Sequence, residues 1–354
     1  MRTFLLISLF VTLLFSCNTK KNNQLKPSNS FQQVNLDYAK TFRLFRNSAD
    51  TLEFRLELLA ENGAIIHSYQ FKNTNKTALK TVVFSSTCIG YLDVLQQLDK
   101  IVGVEKRNSL FNEYLVKKRD KLDEYIDYSQ LNPEILKKRG VNIVFYSLFT
   151  PEISKTDQKL EKLSIQTFPL LDWKEKTALG KAEWIKVYGA VYGCYAKSVL
   201  AFHQIEKEYL AEKVKSTPKD APEVLTGALF QDVWYLPGGK SFQAQQISDA
   251  GGRNLLPNDT TTGSQAFSFA QVYQRYKNVP IWINLDFSSK KELLQVYNNY
   301  RYFDAFKSGA IYGYKNMLQF FEESPVRPQV LLHDLKQIIS KKVADSLYFY
   351  ERLK

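Results

Sequence analysis

The sequence predicts an α/β protein: two α/β lobes with mostly parallel central sheets joined by one long helix. Three observations carry that expectation. The run Gly180–Lys215, GKAEWIKVYGAVYGCYAKSVLAFHQIEKEYLAEKVK, is the longest that reads as a single helix; at about 35 residues it would be roughly 50 Å long. Trp184, Val187, Tyr188, Val191, Tyr192, Tyr195, Val199, Phe202, Ile205 and Tyr209 recur in it at three- and four-residue steps. That spacing stacks them in one stripe. Gly189 and Gly193 thin one face and weaken the helix by about 1 kcal/mol each relative to Ala, so a kink is expected near them. On both sides of this run, short apolar strand-like stretches alternate with helix-like ones, the pattern of parallel sheets. Finally, 354 residues suffice for two lobes of about 100 to 150 residues each. A long core helix inside one domain is the alternative organisation.

Composition narrows the function classes. The net charge is +12, but the Lys and Arg are dispersed, with no basic run interleaved with stacking aromatics. Nucleic acid is therefore not the expected partner, and the charge suits an anionic ligand or an anionic membrane surface equally. His67, His203 and His333 are the only histidines and lie far apart, so no multi-histidine metal site is expected. No nucleophile–base–orienter pattern or CxxC pair suggests an enzyme.

Met1–Ser16 reads as a secretory leader, with Arg2 before the apolar run Phe4–Phe15. That run is too short to span a bilayer. LLFSC resembles the lipobox of bacterial lipoproteins, with Cys17 the lipid-bearing first residue of the mature chain. An ordinary cleaved signal with an incidental cysteine is the alternative. Residues 17–30 form a polar lipidated tether. Its Lys20-Lys21 pair does not match the acidic signal that exports some Bacteroidetes lipoproteins to the cell exterior, which favours the periplasmic side.

Residues 31–80 alternate as a small antiparallel β unit with a hairpin at Asn62-Gly63. The first lobe, 81–178, reads as strands at Thr81–Ser85, Ile101–Val104, Val141–Tyr146 and Ile165–Leu170, with a helix over NPEILKKR stopped by Gly140. The connecting helix occupies 179–216. The second lobe, 217–354, resumes the rhythm with strands at Glu223–Phe230, Val279–Leu285 and Ala310–Tyr312, and helices at Gln243–Ala250, Lys290–Asn298 and from Val330 to Ile339.

Polar turns after strands are where ligands gather in α/β sheets. Thr87, Cys88 and Tyr91, beside Ser86, follow the first strand; their hydroxyls could hold an anionic group or simply cap the following helix. Tyr146 ends the third strand, Trp173 follows the fourth, and Trp234 and Tyr235 follow the first strand of the second lobe. Such aromatics offer broad faces to a flat or apolar ligand, or serve as plain packing; Trp282, inside a strand, reads as core. Cys88 and Cys194 remain once Cys17 is lipidated, and could pair in an oxidising compartment.

The segments SSTCIGYLDVLQQL-DKIVGV, LNPEILKKRGVNIVFYS, GKAEWIKVYGAVYG and LPGGKSFQAQQISDAGGRNLL, in this order, resemble the helical-backbone (class III) solute-binding proteins of ABC importers for iron chelates, haem and cobalamin. The resemblance covers Thr81 to the C-terminus, and AEWIKVYGAVYG looks close to the Bacteroidetes lipoprotein members. It implies a ligand cleft between the lobes, no catalysis, no resident cofactor and a monomer. An iron-siderophore, haem or cobalamin would be captured and delivered to an ABC permease. It also implies permease docking through one acidic residue per lobe. Glu134 matches on the first lobe, whereas Arg253 stands at the second position, a departure that puts the usual docking geometry in doubt. A non-transport lipoprotein scaffold, or an enzyme with its site in the cleft, is the alternative.

Overall fold

In the computed structural model, the described residues are 30–73, 79–150, 152, 154–216, 218, 220–343 and 346–354. Cys17 and nearly all of the tether lie outside them. Phe31–Lys354 form one compact unit. It opens with an antiparallel sheet in sequential order: β1 (Phe31–Gln33), β2 (Phe42–Asn47), β3 (Glu53–Leu59) and β4 (Ile65–Lys72). Period-2 alternation explains which face is inside. Phe42, Leu44, Phe54, Leu56 and Leu58 are buried, while on the other face Arg43 lies opposite Glu57 and pairs with it at 3.8 Å. The expected hairpin forms, with Gly63 at φ +80 supplying its left-handed residue.

The first lobe holds five parallel strands, β5 (Thr81–Val83), β6 (Ile101–Val104), β7 (Asp123–Glu124), β8 (Ile143–Ser147) and β9 (Gln166–Leu170), in the order β7-β6-β5-β8-β9. The chain winds outward from β5 to β7 and then returns to the other side of β5. This reversal opens a crevice at the carboxyl ends of β5 and β8, where open α/β sheets bind ligands. The intervening helices are α1 (Thr87–Val94), α2 (Glu113–Lys117), α3 (Pro133–Arg139) and α4 (Lys155–Lys162). As expected, Pro133 sits in the first turn of α3, Asn132 caps it through the N–H groups of Glu134 and Ile135, and Gly140 ends it at φ +74.

The connector differs from the single helix expected. It is helical as α5 (Ala178–Glu183), α6 (Ile185–Val191) and α7 (Tyr195–Glu212), broken at Trp184 and again over Tyr192–Cys194. The second break has a steric cause. Gly193 takes φ +65, the Cys194 N–H bonds back to the Gly189 carbonyl at 2.8 Å, and α7 then lies so close to α6 that a Cβ on Gly189 would sit 2.1 Å from Ser198 Oγ. At the first break the buried Trp184 ring packs 4.7 Å from Phe42 and its indole N–H donates to Thr41 Oγ1. The apolar stripe and a kink near Gly189 and Gly193 were legible, but the breaks at Trp184 and Tyr192–Cys194, and the close packing of α7 on α6, depended on three-dimensional neighbours.

The second lobe has strands β10 (Val224–Thr226), β11 (Leu229–Phe230), β12 (Val233–Pro237), β13 (Ser264–Phe267), β14 (Ile281–Leu285), β15 (Ile311–Tyr314) and β16 (Tyr350–Arg352). Strands β10, β14 and β15 are parallel and β16 closes that sheet antiparallel; β11-β12-β13 form a separate antiparallel sheet. The expected strand Glu223–Phe230 is split, because Gly227 turns at φ +65. Helices α8 (Phe242–Asp249), α9 (Phe269–Tyr276), α10 (Lys290–Val296), α11 (Asp304–Ser308), α12 (Met317–Glu323) and α13 (Pro328–Ile339) cover the sheets. The core of this lobe is aromatic: Trp234 stacks on Trp282 at 5.5 Å, with Tyr300 edge-on to both.

Gly189→Ala gives opposite signs from two effects. Helix propensity alone would stabilise by about 1 kcal/mol, whereas the overlap with Ser198, whose Cβ is only 2.4 Å away, costs about 1 to 3 kcal/mol as overpacking. We expect the steric term to win, lowering the thermal midpoint, and Ser198→Gly in the same chain to recover part of the loss. A midpoint raised by Gly189→Ala alone would refute the close approach.

Candidate functional site

The carboxyl ends of the first-lobe strands carry two adjoining cavities. The larger, about 570 Å³, is lined by Phe84, Glu105, Ile126, Tyr128, Tyr146, Phe149 and neighbours. The smaller, about 240 Å³, is bounded by Ser85, Ser86, Ile89 and Leu110 of the first lobe and by Leu318 and Phe321 on α12 of the second. Phe84 and Glu105 belong to both walls. The space therefore begins at the strand-order reversal and reaches the second lobe.

The large cavity has a fixed aromatic wall. Tyr128 and Tyr146 stack with centroids 3.8 Å apart, and both hydroxyls donate to the buried Asp157. Ser154 N–H adds a further bond to that carboxylate at 3.0 Å, so the pair is held before any ligand arrives. Burial first, then the Asp157 charge, pushes the Tyr128 phenol far above its usual range, and burial leads the same upward shift at Tyr146. Neither is a phenolate near neutral pH. Above them the rim is apolar and open: Ile126 is 81% exposed and Phe149 75%, and Phe149 meets Trp173 at 5.6 Å. Among the described residues, no group of three or more His, Cys, Asp or Glu is placed to hold a metal ion.

The residues singled out from sequence separate into three places. Tyr146 lines the large cavity, and Trp173, 43% exposed, touches its rim through Phe149. Thr87 lines neither cavity; it is bonded to Ser85 Oγ at 2.9 Å and donates to Asp172 Oδ2 at 3.2 Å. Ser86, which stands at the cap position of α1, makes no side-chain capping bond and lines the smaller cavity instead. Cys88 and Tyr91 do not face the cleft. One turn into α1, their side chains point into the core, where Tyr91 stacks on Tyr188 at 4.7 Å and Tyr188 donates to Cys88 Sγ at 3.3 Å. Cys88 and Cys194 are not disulfide-bonded to each other.

In the second lobe the expectation for Trp234 fails. It lies within β12 rather than after a strand, is fully buried, and donates its indole N–H to the Thr226 carbonyl at 2.9 Å. Tyr235, the next residue on the pleat, points outward and is exposed, but lines neither cavity. Glu134 is exposed in the first turn of α3. Arg253 is half-exposed and its guanidinium lies 3.0 Å from Glu223 Oε1, so this surface presents an ion pair rather than a bare cation. The cavity residues missed from sequence, Phe84, Glu105, Ile126 and Tyr128, follow strands as short as the two-residue β7, which carries no readable periodicity.

No family model matches the chain. An uncharacterized lipoprotein of Methanocaldococcus jannaschii is 26% identical over 303 residues, covering 78% of this chain and 75% of the relative. Among solved structures, a periplasmic heme binding protein from Pseudomonas aeruginosa superposes with a TM-score of 0.56 at 15% identity, over 78% of this chain and 98% of the other. An ABC-type Fe3+-hydroxamate transport system protein from Saccharomonospora viridis gives 0.53 at 16% identity, over 77% and 96%. The fold is that of two-lobe periplasmic binding proteins. At these identities the likeness is one of architecture.

The wall between the lobes bounds the smaller cavity. Helix α12 approaches α1 at Gly90, where a Cβ would lie 2.0 Å from the Glu322 carbonyl oxygen. The Glu322 carboxylate crosses to the first lobe and accepts the N–H groups of Phe111 and Asn112 at 2.7 and 2.9 Å. Arg327 pairs with Asp93 at 2.9 Å beside it. Burial pushes the Glu322 carboxyl up to about 7 from 4.5, against the lowering effect of the two N–H donors.

A raised carboxyl contributes stability at low pH that is lost as the pH rises. Below about 4.5 the group is protonated in both states; up to about 7 the unfolded chain ionises first, and the folded state loses ground across that window. Burial also raises Asp172, Glu175 and Asp334, so other groups add to the trend. Thermal midpoints measured from pH 4.5 to 8 should therefore fall less steeply in Glu322→Gln than in the wild type. Equal slopes would remove Glu322 from the wall.

Proposed function

We propose that this protein is an extracytoplasmic, lipid-anchored solute-binding protein of an ABC importer, capturing a metal chelate of the iron-siderophore, haem or cobalamin kind. The observation that carries the reading is the cleft: a preformed, aromatic-walled cavity at the strand-order reversal of one lobe, continuous with a smaller one closed by the other. A pocket of a few hundred Å³ with an aromatic wall suits a compact organic ligand. The likeness to proteins named for heme and Fe3+-hydroxamate supports the chelate class, and the lipoprotein relative supports an anchor at Cys17. The finer Bacteroidetes assignment rests on AEWIKVYGAVYG alone.

Titration of a panel of haem, cobalamin and ferric siderophores, followed by intrinsic fluorescence, tests the reading. One member should quench Trp173, and Phe149→Ala or Trp173→Ala should weaken its binding by about 1 to 4 kcal/mol, the range for a buried aromatic anchor. Circular dichroism must show both variants folded. Failure of every member to bind would sink the chelate reading.

Delivery to a permease would use Glu134 on the first lobe and, on the second, the surface around Arg253, where Glu223 supplies an acid beside the unexpected base. In cells, Glu134→Arg should abolish uptake with ligand affinity intact, because like charges across an interface cost several kcal/mol. Cys17→Ser should release the protein from membranes and reduce uptake in the same assay. Normal uptake by Glu134→Arg would discard this docking surface.

A further inference from the structure

A cavity's charge decides which chelate it accepts, and here the sign runs against the chain. The protein carries +12 overall, which from composition alone suits an anionic ligand. Yet the charged residues lining the large cavity are Glu105, Asp127 and Glu152, all acidic. Among the described residues, none hydrogen-bonds or ion-pairs with the half-buried Glu105 side chain. Asp127 accepts the Ser129 N–H at 2.8 Å, and that bond leads the forces holding its carboxyl below the usual range. It is charged at any physiological pH. Lys106 is exposed and lines the smaller, adjoining cavity, and the Lys174 ammonium lies over the Trp173 ring at 5.1 Å.

The walls agree with the carboxylates. Phe84, Tyr128, Tyr146 and Phe149 make the wall aromatic, and an aromatic face carries a negative quadrupole that attracts a cation and repels an anion. Aromatic faces with nearby carboxylates recognise an ammonium group on an apolar body, whereas a polyanion entering the same space would lose hydration and meet like charge. The cavity and its aromatic wall define the site; the carboxylates decide only the sign of what enters.

We propose that the cavity between Tyr128, Tyr146 and Phe149 selects a ligand bearing an ammonium group on an apolar or chelate body, with Glu105 and Asp127 as its charge-discriminating residues. The inference deepens the chelate-binding reading and rests on it for the metal. Free organic amines and metal chelates with an amine arm share this chemistry, and the experiment separates them.

Four probes are titrated against the purified protein by fluorescence and calorimetry. They are a ferric trihydroxamate with a free ammonium arm, the same complex N-acetylated to neutrality, a ferric tris-catecholate trianion, and a metal-free arylalkylammonium. The ammonium-armed complex is expected to bind tightest, and to weaken with added salt. Glu105→Gln and Asp127→Asn should each weaken it about 3- to 5-fold, as for partly exposed charge pairs, while leaving the neutral complex unchanged. Both substitutions are isosteric at hydrated positions, and unchanged melting curves confirm folding. Tighter binding of the neutral or anionic complex overturns the inference while leaving the chelate reading intact. Binding of the metal-free amine alone, with the carboxylate dependence preserved, supports the inference and removes the chelate. Absence of binding by all four overturns both.

Discussion

A fully buried carboxylate, Glu183, anchors the connector on which the other layers pack. In an apolar interior an unpaired carboxylate would be strongly destabilising. Here it accepts the N–H groups of Asp37, Tyr38 and Ala39 at 3.1, 2.9 and 2.8 Å and pairs with the Lys186 ammonium at 2.6 Å. Eight residues earlier, Glu175 accepts the N–H groups of Lys40 and Thr41 in the same way. The loop before β2 has no ladder partners of its own for these donors, so the two carboxylates and the loop satisfy one another. Through them the antiparallel sheet is seated on α5, with Phe42 against Trp184 and Phe71 against Phe168.

From that seat one apolar core runs onward. Residues of the antiparallel sheet, the first-lobe strands, the connector and the second-lobe residues Val224, Ile281, Leu331 and Leu335 belong to a single cluster. The aromatic core around Trp234 and Trp282 is a separate one. Contact between the lobes therefore does not depend on an unbroken helix. It comes from shared packing along α6, whose residues are all buried, and from the second contact where Glu322 and Arg327 reach the first lobe. Separating the lobes would expose apolar surface and strip the Glu322 carboxylate of both donors.

The same arrangement explains the division of labour in the cleft. The first lobe supplies most of the cavity, because the order β7-β6-β5-β8-β9 leaves the turns after β5 and β8 without a covering strand connection. The second lobe supplies a wall, α12. Its own aromatics are spent on the core: Trp234, Trp282 and Tyr300 touch one another and leave no face for a ligand. The cavity is thus lopsided, with the polar and aromatic groups concentrated on one side.

What the sequence determined by itself is whatever depends on near neighbours. The alternation of β2 and β3, the hairpin at Gly63, the Asn132–Pro133–Gly140 signals bounding α3 and the apolar strand β6 all follow from residues a few positions apart, so periodicity and local backbone preference suffice to read them. The α/β class followed from their order. Tertiary structure decided the rest. Whether an aromatic beside a strand faces a cavity or the core depends on what crosses it from distant sequence, which is why Tyr146 lines a cavity while Trp234, read from sequence in the same way, is buried in the core. Whether a stretch with a helical stripe continues or folds back depended on Ser198 meeting Gly189. And the sign of the cavity's charge, opposite to that of the chain, arose only when the ends of β6, β7 and β8 brought Glu105, Asp127 and Glu152 to one wall, since charge adds by distance in space and not by position in the chain.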